Sequence, residues 1–280
     1  MTERTIASDN LLDDTQMVKF ISHGFVILDS GVSTAVNKKI LGKLNELDSN
    51  PGDQILDYVP ELSEIYESFP VAGALTSLLG NDYAINDHRH CHKNPSGSRR
   101  QVWHQDSIDG AQIQQRHGTS IKQILMMYYP QDVDDRNGPT AIIPGSHLLS
   151  NHSRDRTASQ GNFKHQVLGT LNAGSVILLH YDIWHAGTKN VSGKIRYMLK
   201  FLFDRTSNSK TPSWKHNSTN LLDITKQLDQ SPTFGIQPSL SGRIRKARRD
   251  MWNNLYGSKS AVENYYDRFS GPWPENSMKG

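Results

Sequence analysis

The spacing of apolar residues changes from a helical to a strand period near residue 83. Before that point, apolar residues recur every three or four positions between residues 33 and 47, which predicts an amphipathic helix. An apolar run at residues 24–28 predicts one early strand. Shorter helices are predicted near residues 15–22, 60–67 and 71–79, the last two beginning beside a proline. The chain up to residue 83 is therefore expected to be mainly helical.

Beyond residue 83, alternating or continuous apolar runs predict a series of short strands. These strands are expected at residues 83–93, 101–104, 121–129, 140–143, 165–171, 175–180 and 195–203. Gly-Pro, Pro-Gly and Ala-Gly pairs separate several of them as turns. Helices followed by many short strands are typical of a double-sheet jelly roll with a helical buttress. The predicted fold class is mainly β, with flanking helices on a jelly-roll, cupin-like core.

The predicted elements divide the chain into a tail, one domain and an extension. Residues 1–14 are polar and are expected to form a loosely held tail, and residues 15–205 carry the buttress and the strands. Residues 206–280 are expected to be a mainly helical extension packed on the same domain, with helices near 219–228 and 242–256. The last helix carries a basic run, interpreted as a solvated face or as a patch for an acidic partner or phosphorylated substrate.

Composition narrows the class of protein. Of 280 residues, 35% are hydrophobic, and a net charge of +3 is too small to predict binding to nucleic acid or to an anionic membrane. The chain has neither an apolar secretory signal nor a run of eighteen apolar residues, so no membrane span is expected. Cys91 is the only cysteine, which excludes an intrachain disulfide and a cysteine-based zinc site. These features predict a cytoplasmic protein that binds neither nucleic acid nor a membrane, and they leave its oligomeric state open.

The candidate chemistry centres on the H-x-D pair His104 and Asp106. Residues i and i+2 of a strand point to the same side, so both side chains can reach one metal ion. His185 follows the apolar strand at residues 176–179 and can approach from a facing strand. Two imidazoles and one carboxylate are the ligand set that holds non-haem Fe(II) on one face and leaves the opposite face open.

Arg196, eleven residues after His185, adds a cation beside the predicted metal site. On the open face of the metal, a 2-oxo acid can occupy two positions and dioxygen a third. The far carboxylate of that acid needs a buried partner, and a guanidinium can pair with it through two parallel hydrogen bonds. The residues therefore predict an iron oxygenase with an anionic co-substrate.

A wider set of motifs, spread from about residue 15 to 205, follows the pattern of one enzyme family. The motifs are Phe20 to Val26, Trp103-His104-Gln105-Asp106, Asn137-Gly138-Pro139, Pro144-Gly145-Ser146-His147, Trp184-His185-Ala186-Gly187 and Arg196. In these segments the chain resembles the phytanoyl-CoA dioxygenase family of Fe(II)- and 2-oxoglutarate-dependent oxygenases. The resemblance implies a double-stranded β-helix core, His104, Asp106 and His185 as iron ligands, and Arg196 on the C5 carboxylate of 2-oxoglutarate. It also implies that dioxygen is consumed and that succinate and CO2 are released.

The resemblance bears on two positions beside the ligands. Many members carry a serine two residues after the distal histidine, and this serine contacts the co-substrate. Here that position is Gly187, so Thr188 is the expected substitute. Halogenating relatives carry a small residue in place of the carboxylate, so Asp106 disfavours halogenation.

Two further candidates border the predicted site. Gln123 lies on the strand after the metal loop and is a candidate hydrogen-bond partner of the co-substrate. The polar loop at residues 107–119 follows the metal ligands, and Asp109 within it is a candidate substrate contact. The polarity of this loop favours a hydroxylated or charged small molecule over a fatty chain.

The strand at residues 83–93 offers two different faces. One face carries Asp87, Arg89 and Cys91, and the other carries three histidines at positions 88, 90 and 92. Comparison with the family favours the first face as the inward one, which makes Arg89 a candidate contact for substrate or co-substrate. The histidines are then expected to point outward or to pack on the helices.

Two other functions remain compatible with these residues. The metal can serve as a Lewis acid in a hydrolase or isomerase, or the chain can be a non-catalytic binding protein that has kept the fold. The intact ligand set with Arg196 argues against the second alternative. The leading prediction is a 2-oxoglutarate-dependent dioxygenase that hydroxylates an unactivated C–H bond of a small metabolite. The substrate itself is not identified by the residues.

Overall fold

Two antiparallel sheets and a layer of helices make up the computed structural model, which describes residues 6–107, 118–149, 161–217, 219, 221–232 and 241–257. The helices are α1 (Asp14–His23), α2 (Thr34–Glu46), α3 (Ile55–Tyr58), α4 (Leu62–Tyr66), α5 (Phe69–Leu79), α6 (Leu221–Gln230) and α7 (Ser241–Tyr256). The strands are β1 (Phe25–Asp29), β2 (Ala84–Asn94), β3 (Gln123–Tyr128), β4 (Thr140–Ile142), β5 (Val167–Leu168), β6 (Ser175–His180), β7 (His185–Gly187) and β8 (Arg196–Asp204). Among the described helices, none is long and apolar enough to cross a membrane.

The larger sheet has the strand order β1-β6-β3-β8-β2 and the smaller sheet the order β5-β4-β7. Every registered strand pair in both sheets is antiparallel. Apolar side chains of the two sheets meet in one cluster that includes Phe25, Leu125, Met127, Ile142, Ile177, Leu179, Met198 and Leu202. The predicted fold class, a jelly-roll core with flanking helices, is confirmed.

The opposite face of the larger sheet packs on the helices. Successive strand residues point to opposite faces, so each strand contributes to two cores. The second core contains Leu178 and Phe201 from the sheet together with Phe20 of α1, Ile40 of α2 and Leu75 of α5. The helical buttress therefore holds one face of the sheet while the other face forms the interior of the jelly roll.

The junction between α1 and β1 leaves no space for a side chain at Gly24. The helix begins with a capping box, in which Asp13 and Gln16 each accept the other's backbone N–H, at 2.8 and 2.9 Å. It ends at His23 and is capped by Gly24, whose φ of 85° favours glycine, and a Cβ there would collide with the imidazole of His147. That imidazole is buried, and its Nε2 lies 3.0 Å from the carbonyl oxygen of Ile21.

The expectation of a loosely held tail is wrong for the residues just before α1. Leu12 is buried, and its N–H donates to Oγ of Ser77 at 2.9 Å. The backbone of Asn10 lies so close to Gly73 that any Cβ on the glycine would collide with it. Small residues on α5 thus allow the chain before α1 to pack closely against that helix. The polarity of the sequence alone does not indicate this contact.

The basic run on α7 is only partly solvated. Arg248 and Arg249 are buried, so the interpretation of the whole run as a solvated face is wrong for these two residues. The guanidinium of Arg248 donates to the carbonyl oxygens of Leu228, Ser231 and Pro232 at 3.0, 2.7 and 2.8 Å. Carbonyls at a helix C-terminus lack partners within the helix, and the negative end of the helix dipole favours a cation. Arg248 therefore holds the end of α6 against α7.

We predict that Arg248→Met lowers the free energy of unfolding by about 3 kcal/mol, because it removes the donor from three carbonyl oxygens at the end of α6, one of them in a buried hydrogen bond. Urea unfolding followed by circular dichroism measures the loss. Arg245→Met is the matched control, since Arg245 is exposed on the same helix, and it should cost at most about 0.5 kcal/mol. Equal losses in the two variants would contradict this role of Arg248.

A carboxylate and two lysines join α2 to the start of α4. Both oxygens of Glu61 accept from Nζ of Lys43, at 2.6 and 2.8 Å, and Nζ of Lys39 lies 2.9 Å from Oε1. The hydrogen bond from Lys43, opposed by desolvation, lowers the pKa of Glu61 from its ordinary 4.5 to about 2. Because the folded protein holds the lower pKa, the pair stabilises the fold above pH 4.5 and loses its contribution as the pH falls toward 2.

We predict that Glu61→Gln lowers the free energy of unfolding by about 1 kcal/mol at pH 7, as expected for a pair that water partly screens. The difference from the wild type should shrink between pH 4.5 and pH 3, where the wild-type carboxylate protonates in the unfolded chain. Urea unfolding at pH 7, 5 and 3.5 tests this. The control Glu67→Gln removes an exposed carboxylate just after α4 and should show no such convergence.

Candidate metal centre

The two candidate histidine ligands are held together by backbone pairing. His185 is the first residue of β7, and His104 forms an antiparallel bridge with it. The His104 N–H donates to the His185 carbonyl at 3.1 Å, and the return bond measures 3.0 Å. Their ring centroids lie 4.4 Å apart. Asp106 follows two residues after His104, so the edge of the smaller sheet places all three side chains.

Backbone carbonyls set which nitrogen of each imidazole carries the proton. Nδ1 of His104 lies 2.9 Å from the carbonyl oxygen of Val102, and Nδ1 of His185 lies 3.2 Å from that of Ile183. A carbonyl oxygen can only accept, so each Nδ1 donates and the lone pair of the neutral ring lies on Nε2. Burial, helped by the neighbouring His104, lowers the pKa of His185 to about 4. His185 is therefore neutral at physiological pH.

The carboxylate of Asp106 completes the group. Its oxygens lie 3.9 Å from Nε2 of His104 and 3.8 Å from Nε2 of His185. Burial disfavours the charged form, but charge interactions with His185 and Lys200 outweigh burial and hold the pKa of Asp106 well below its ordinary value. Nζ of Lys200 lies 2.9 Å from Oδ2, so a lysine ammonium is the immediate counter-charge.

These residues fit a divalent transition metal. One ligand atom from each of His104, Asp106 and His185 lies within 4.8 Å of the others. Two neutral imidazole nitrogens and one ionised carboxylate form the facial set typical of non-haem Fe(II) centres, whereas structural zinc sites favour sulfur or closed tetrahedra. The three side chains line one wall of a cavity of about 550 Å³, large enough for a small substrate beside a co-substrate.

Arg196 borders the same cavity. It is the first residue of β8, is 3% exposed, and its Nη2 donates to the carbonyl oxygen of Gly138 at 2.8 Å. Burial lowers the pKa of its guanidinium, which nevertheless stays charged at neutral pH. Its Nε is buried and has no hydrogen-bond partner in the described part of the chain. A buried cation with an unsatisfied donor beside a metal-type ligand set suits an anionic ligand.

Gln101 is a site residue that the motifs missed. A Cβ on Gly187 would lie 3.0 Å from Oε1 of Gln101 and 3.5 Å from Nη2 of Arg196. The Gln101 side chain accepts the Gly187 N–H at 2.8 Å and lines the cavity. Glycine thus makes room for Gln101 where many family members carry serine. Thr188 also lines the cavity, and its hydroxyl donates to the carbonyl oxygen of Pro139 at 2.7 Å.

Two other predicted site residues do not border this cavity, and a third cannot be placed. The amide of Gln123 donates to Asp204 at 2.6 Å, which ties it to β8 and gives its predicted co-substrate contact no support. The guanidinium of Arg89 lies against the Asp53 carbonyl, at 3.3 Å. Asp109 lies outside the described residues.

The predicted orientation of β2 is wrong. In the ladder with β8, His90 pairs with Lys200 and His92 with Met198, and all four line the cavity. Arg89 pairs instead with Phe201, which packs in the helix-side core. Directly opposed residues share a face, so the even-numbered histidines point inward and Arg89 points away. Alternation along a strand gives two faces but does not say which is inward; here the pairing with β8, continuous from Arg89 to Asn94, decides it.

Lys200 is the second site residue that motif reasoning missed. It stands four positions after Arg196 on the same strand, so strand alternation places both on one face. Once Arg196 is known to face inward, the sequence predicts that Lys200 faces inward too. What it does not contain is the approach of Lys200 to Asp106, which comes from a different part of the chain.

Solved structures with the same fold include proteins with 2-oxoglutarate bound. HygX from Streptomyces hygroscopicus, with nickel and 2-oxoglutarate bound, superposes with a TM-score of 0.59 at 13% identity, covering 72% of this chain and 90% of that one. EctD from S. alaskensis, with 2-oxoglutarate and 5-hydroxyectoine, gives 0.52 at 16% identity, covering 71% and 79%. The non-heme alpha ketoglutarate dependent carbocyclase SnoK from nogalamycin biosynthesis gives 0.55 at 15% identity, covering 72% and 87%. At these identities the likeness shows the fold alone.

A match at the level of the whole family is more specific. No individual curated protein matches the chain in sequence. The family model described as phytanoyl-CoA dioxygenase (PhyH) matches residues 49–198, more than half of the 280 residues. The matched range contains the three candidate ligands and Arg196. The chain therefore belongs to the phytanoyl-CoA dioxygenase family of Fe(II)- and 2-oxoglutarate-dependent oxygenases.

Proposed function

We propose that the protein is a hydroxylase that uses Fe(II), dioxygen and 2-oxoglutarate to convert a C–H bond of a small metabolite into an alcohol. One observation carries this proposal: His104, Asp106, His185 and Arg196 all border one cavity between the sheets. A dicarboxylate that chelates a metal at the triad therefore has a buried cation within the same space. Oxygenase chemistry follows from the family, and hydroxylation is the outcome proposed here.

The residues of the chain divide the work between them. When bound, iron with 2-oxoglutarate and dioxygen supplies the oxidising power, and 2-oxoglutarate leaves as succinate and CO2. His104 and His185 present neutral Nε2 atoms, and Asp106 supplies the negative charge. Arg196 orients 2-oxoglutarate through its far carboxylate, with Thr188 proposed beside it on the cavity wall.

The ligand set favours hydroxylation over halogenation. Asp106 occupies the coordination position that halogenating relatives leave open for halide. A metal-dependent hydrolase or isomerase on this fold would need no dioxygen, and a non-catalytic binding protein would form no succinate. Oxygen-dependent succinate formation therefore separates all three functions.

The proposed setting is a reducing compartment such as the cytoplasm, with a small molecule as partner. Cys91 is the only cysteine, and burial raises the pKa of its thiol to about 11, so it is unreactive. A net charge of +3 gives no reason to propose a nucleic acid as the partner.

We predict that Asp106→Ala abolishes 2-oxoglutarate-dependent succinate formation. Loss of a direct ligand should weaken Fe(II) binding by more than the roughly 10- to 100-fold that loss of a supporting partner costs. Anaerobic calorimetry with Fe(II) and a succinate assay measure the two effects. Asp57→Ala, which removes an exposed carboxylate on α3, is the control and should leave both unchanged. Wild-type iron affinity in Asp106→Ala would remove this residue from the ligand set.

We predict that Arg196→Ala weakens the binding of 2-oxoglutarate by roughly 100-fold, because a buried carboxylate loses its cationic partner. Fe(II) affinity should stay within about threefold of the wild type, since Arg196 is not a candidate ligand. Arg196→Lys should recover only part of the loss, because an ammonium cannot pair through two parallel hydrogen bonds. Calorimetric titration of the metal-loaded protein measures these affinities. An unchanged affinity in Arg196→Ala would show that the co-substrate lies elsewhere.

A further inference from the structure

A second, largely buried cation, Lys200, lies on the strand that carries Arg196. Arg196, Met198 and Lys200 alternate along the inward face of β8, and all three line the cavity. In the neighbouring strands, Lys200 pairs with His90 of β2 and Met127 of β3. The Lys200 side chain is only 12% exposed, and its Nζ lies 2.9 Å from Oδ2 of Asp106.

Among the described residues that line the cavity, the formal charges do not balance once the centre is loaded. Arg196 and Lys200 are positive and Asp106 is negative, so the buried wall carries a net charge of +1. A divalent metal adds two positive charges and 2-oxoglutarate adds two negative ones, which returns the loaded centre to +1. Lys93 and Arg99 also line the cavity, but both are exposed and screened by water. A buried cation without a counter-charge is costly, so the loaded cavity favours one further negative charge.

The metal and Lys200 also compete for the same carboxylate. Asp106 is the only ion-pair partner that Lys200 has among the described residues. Charge donated from Asp106 to a divalent metal weakens the attraction between Asp106 and the ammonium. A lysine head on a flexible four-carbon stem can then turn toward a new anion without movement of the strand. Arg196, held by Gly138 at the other end of the same face, remains available for 2-oxoglutarate.

We propose that Lys200 is a specificity-determining residue that binds a carboxylate group of the substrate, an inference that rests on the proposed function. The substrate is accordingly a small molecule with one carboxylate on the part that enters the cavity. A carboxylate carries the single negative charge that balances the loaded centre, whereas a phosphate monoester carries nearly two.

The surroundings of Lys200 suit such a group. His90 and His92 stand beside it with ring centroids 4.5 Å apart, and both line the cavity. Burial, followed by the neighbouring His90, lowers the pKa of His92 to about 3, so this ring adds no positive charge at neutral pH. The histidines offer neutral hydrogen-bonding groups, and Met127 and Met198 offer apolar contact for the remainder of a small molecule.

The experiment loads the full-length protein with Mn(II) and 2-oxoglutarate without oxygen, so that no turnover occurs. The probes are butanoate, the uncharged butanamide, and propyl phosphate, three small molecules with similar apolar parts. Paramagnetic broadening of the probe methyl resonance reports binding near the metal, which excludes binding elsewhere on the surface. The variants are Lys200→Met and Lys200→Arg, with Lys93→Met as the matched control because Lys93 lines the exposed mouth.

In the wild type, butanoate should bind at least about tenfold more tightly than butanamide, and more tightly than propyl phosphate. Lys200→Met should remove this preference, Lys200→Arg should keep part of it, and Lys93→Met should keep it fully. In calorimetry run in parallel, 2-oxoglutarate affinity should stay within about threefold of the wild type in all variants. Mn(II) affinity should not fall in any of them, and in Lys200→Met it should rise because the competitor for Asp106 is removed.

Three results overturn the proposal. Equal butanoate binding in the wild type and in Lys200→Met shows that the metal alone holds the carboxylate. A preference for propyl phosphate assigns Lys200 to a different anion. Loss of Mn(II) or 2-oxoglutarate binding in Lys200→Met, to the same extent as loss of butanoate, makes Lys200 a positioning residue for Asp106. Failure of the wild type itself to bind Mn(II) and 2-oxoglutarate contradicts the proposed function instead, and is read from the calorimetry before any probe is added.

Discussion

The site depends on two backbone hydrogen bonds that pair His104 with His185. It joins two segments that lie 81 positions apart in the chain, and it fixes both imidazoles at one sheet edge. The carbonyls of Val102 and Ile183, each two residues before its histidine, then select the same tautomer in both rings. One short ladder therefore supplies the position, orientation and protonation state of two ligands.

Around this pair, the alternation of β8 decides how charge is buried. Leu199 and Phe201 face the helices, while Arg196, Met198 and Lys200 face the cavity. A strand that is covered on both sides is almost continuously apolar in sequence. A cation within it is buried and therefore requires a polar or charged partner on the inner face. Gly138 and Asp106 provide them at opposite ends of the row. The same packing that makes the sheet stable thus produces an interior that attracts anions.

The helical layer packs on the face of the larger sheet opposite the cavity, and the contacts between its helices are polar as well as apolar. Arg248 holds the end of α6, and Glu61 joins α2 to α4 through lysines. These polar contacts lie outside the cavity. The inner face of β8 and the edge of β7 therefore remain available for the residues of the site. Because the helices pack on one face of the sheet and the metal centre borders the other, the two use different residues of the same strands.

The sequence alone determined the fold class, the period change near residue 83 and the residues of the candidate triad with Arg196, because hydrophobic periodicity and ligand chemistry are local properties. It did not determine which face of β2 is inward, that Lys200 reaches Asp106, or that Gln101 fills the space beside Gly187. Each of these depends on a partner distant in the chain: β8 for the face of β2, Asp106 for Lys200, and Gly187 for Gln101. The strand expected at residues 101–104 likewise appears only as the bridge at His104, because backbone pairing and not the apolar pattern decides where a strand ends.

Only the tertiary structure therefore decided what surrounds the metal ligands.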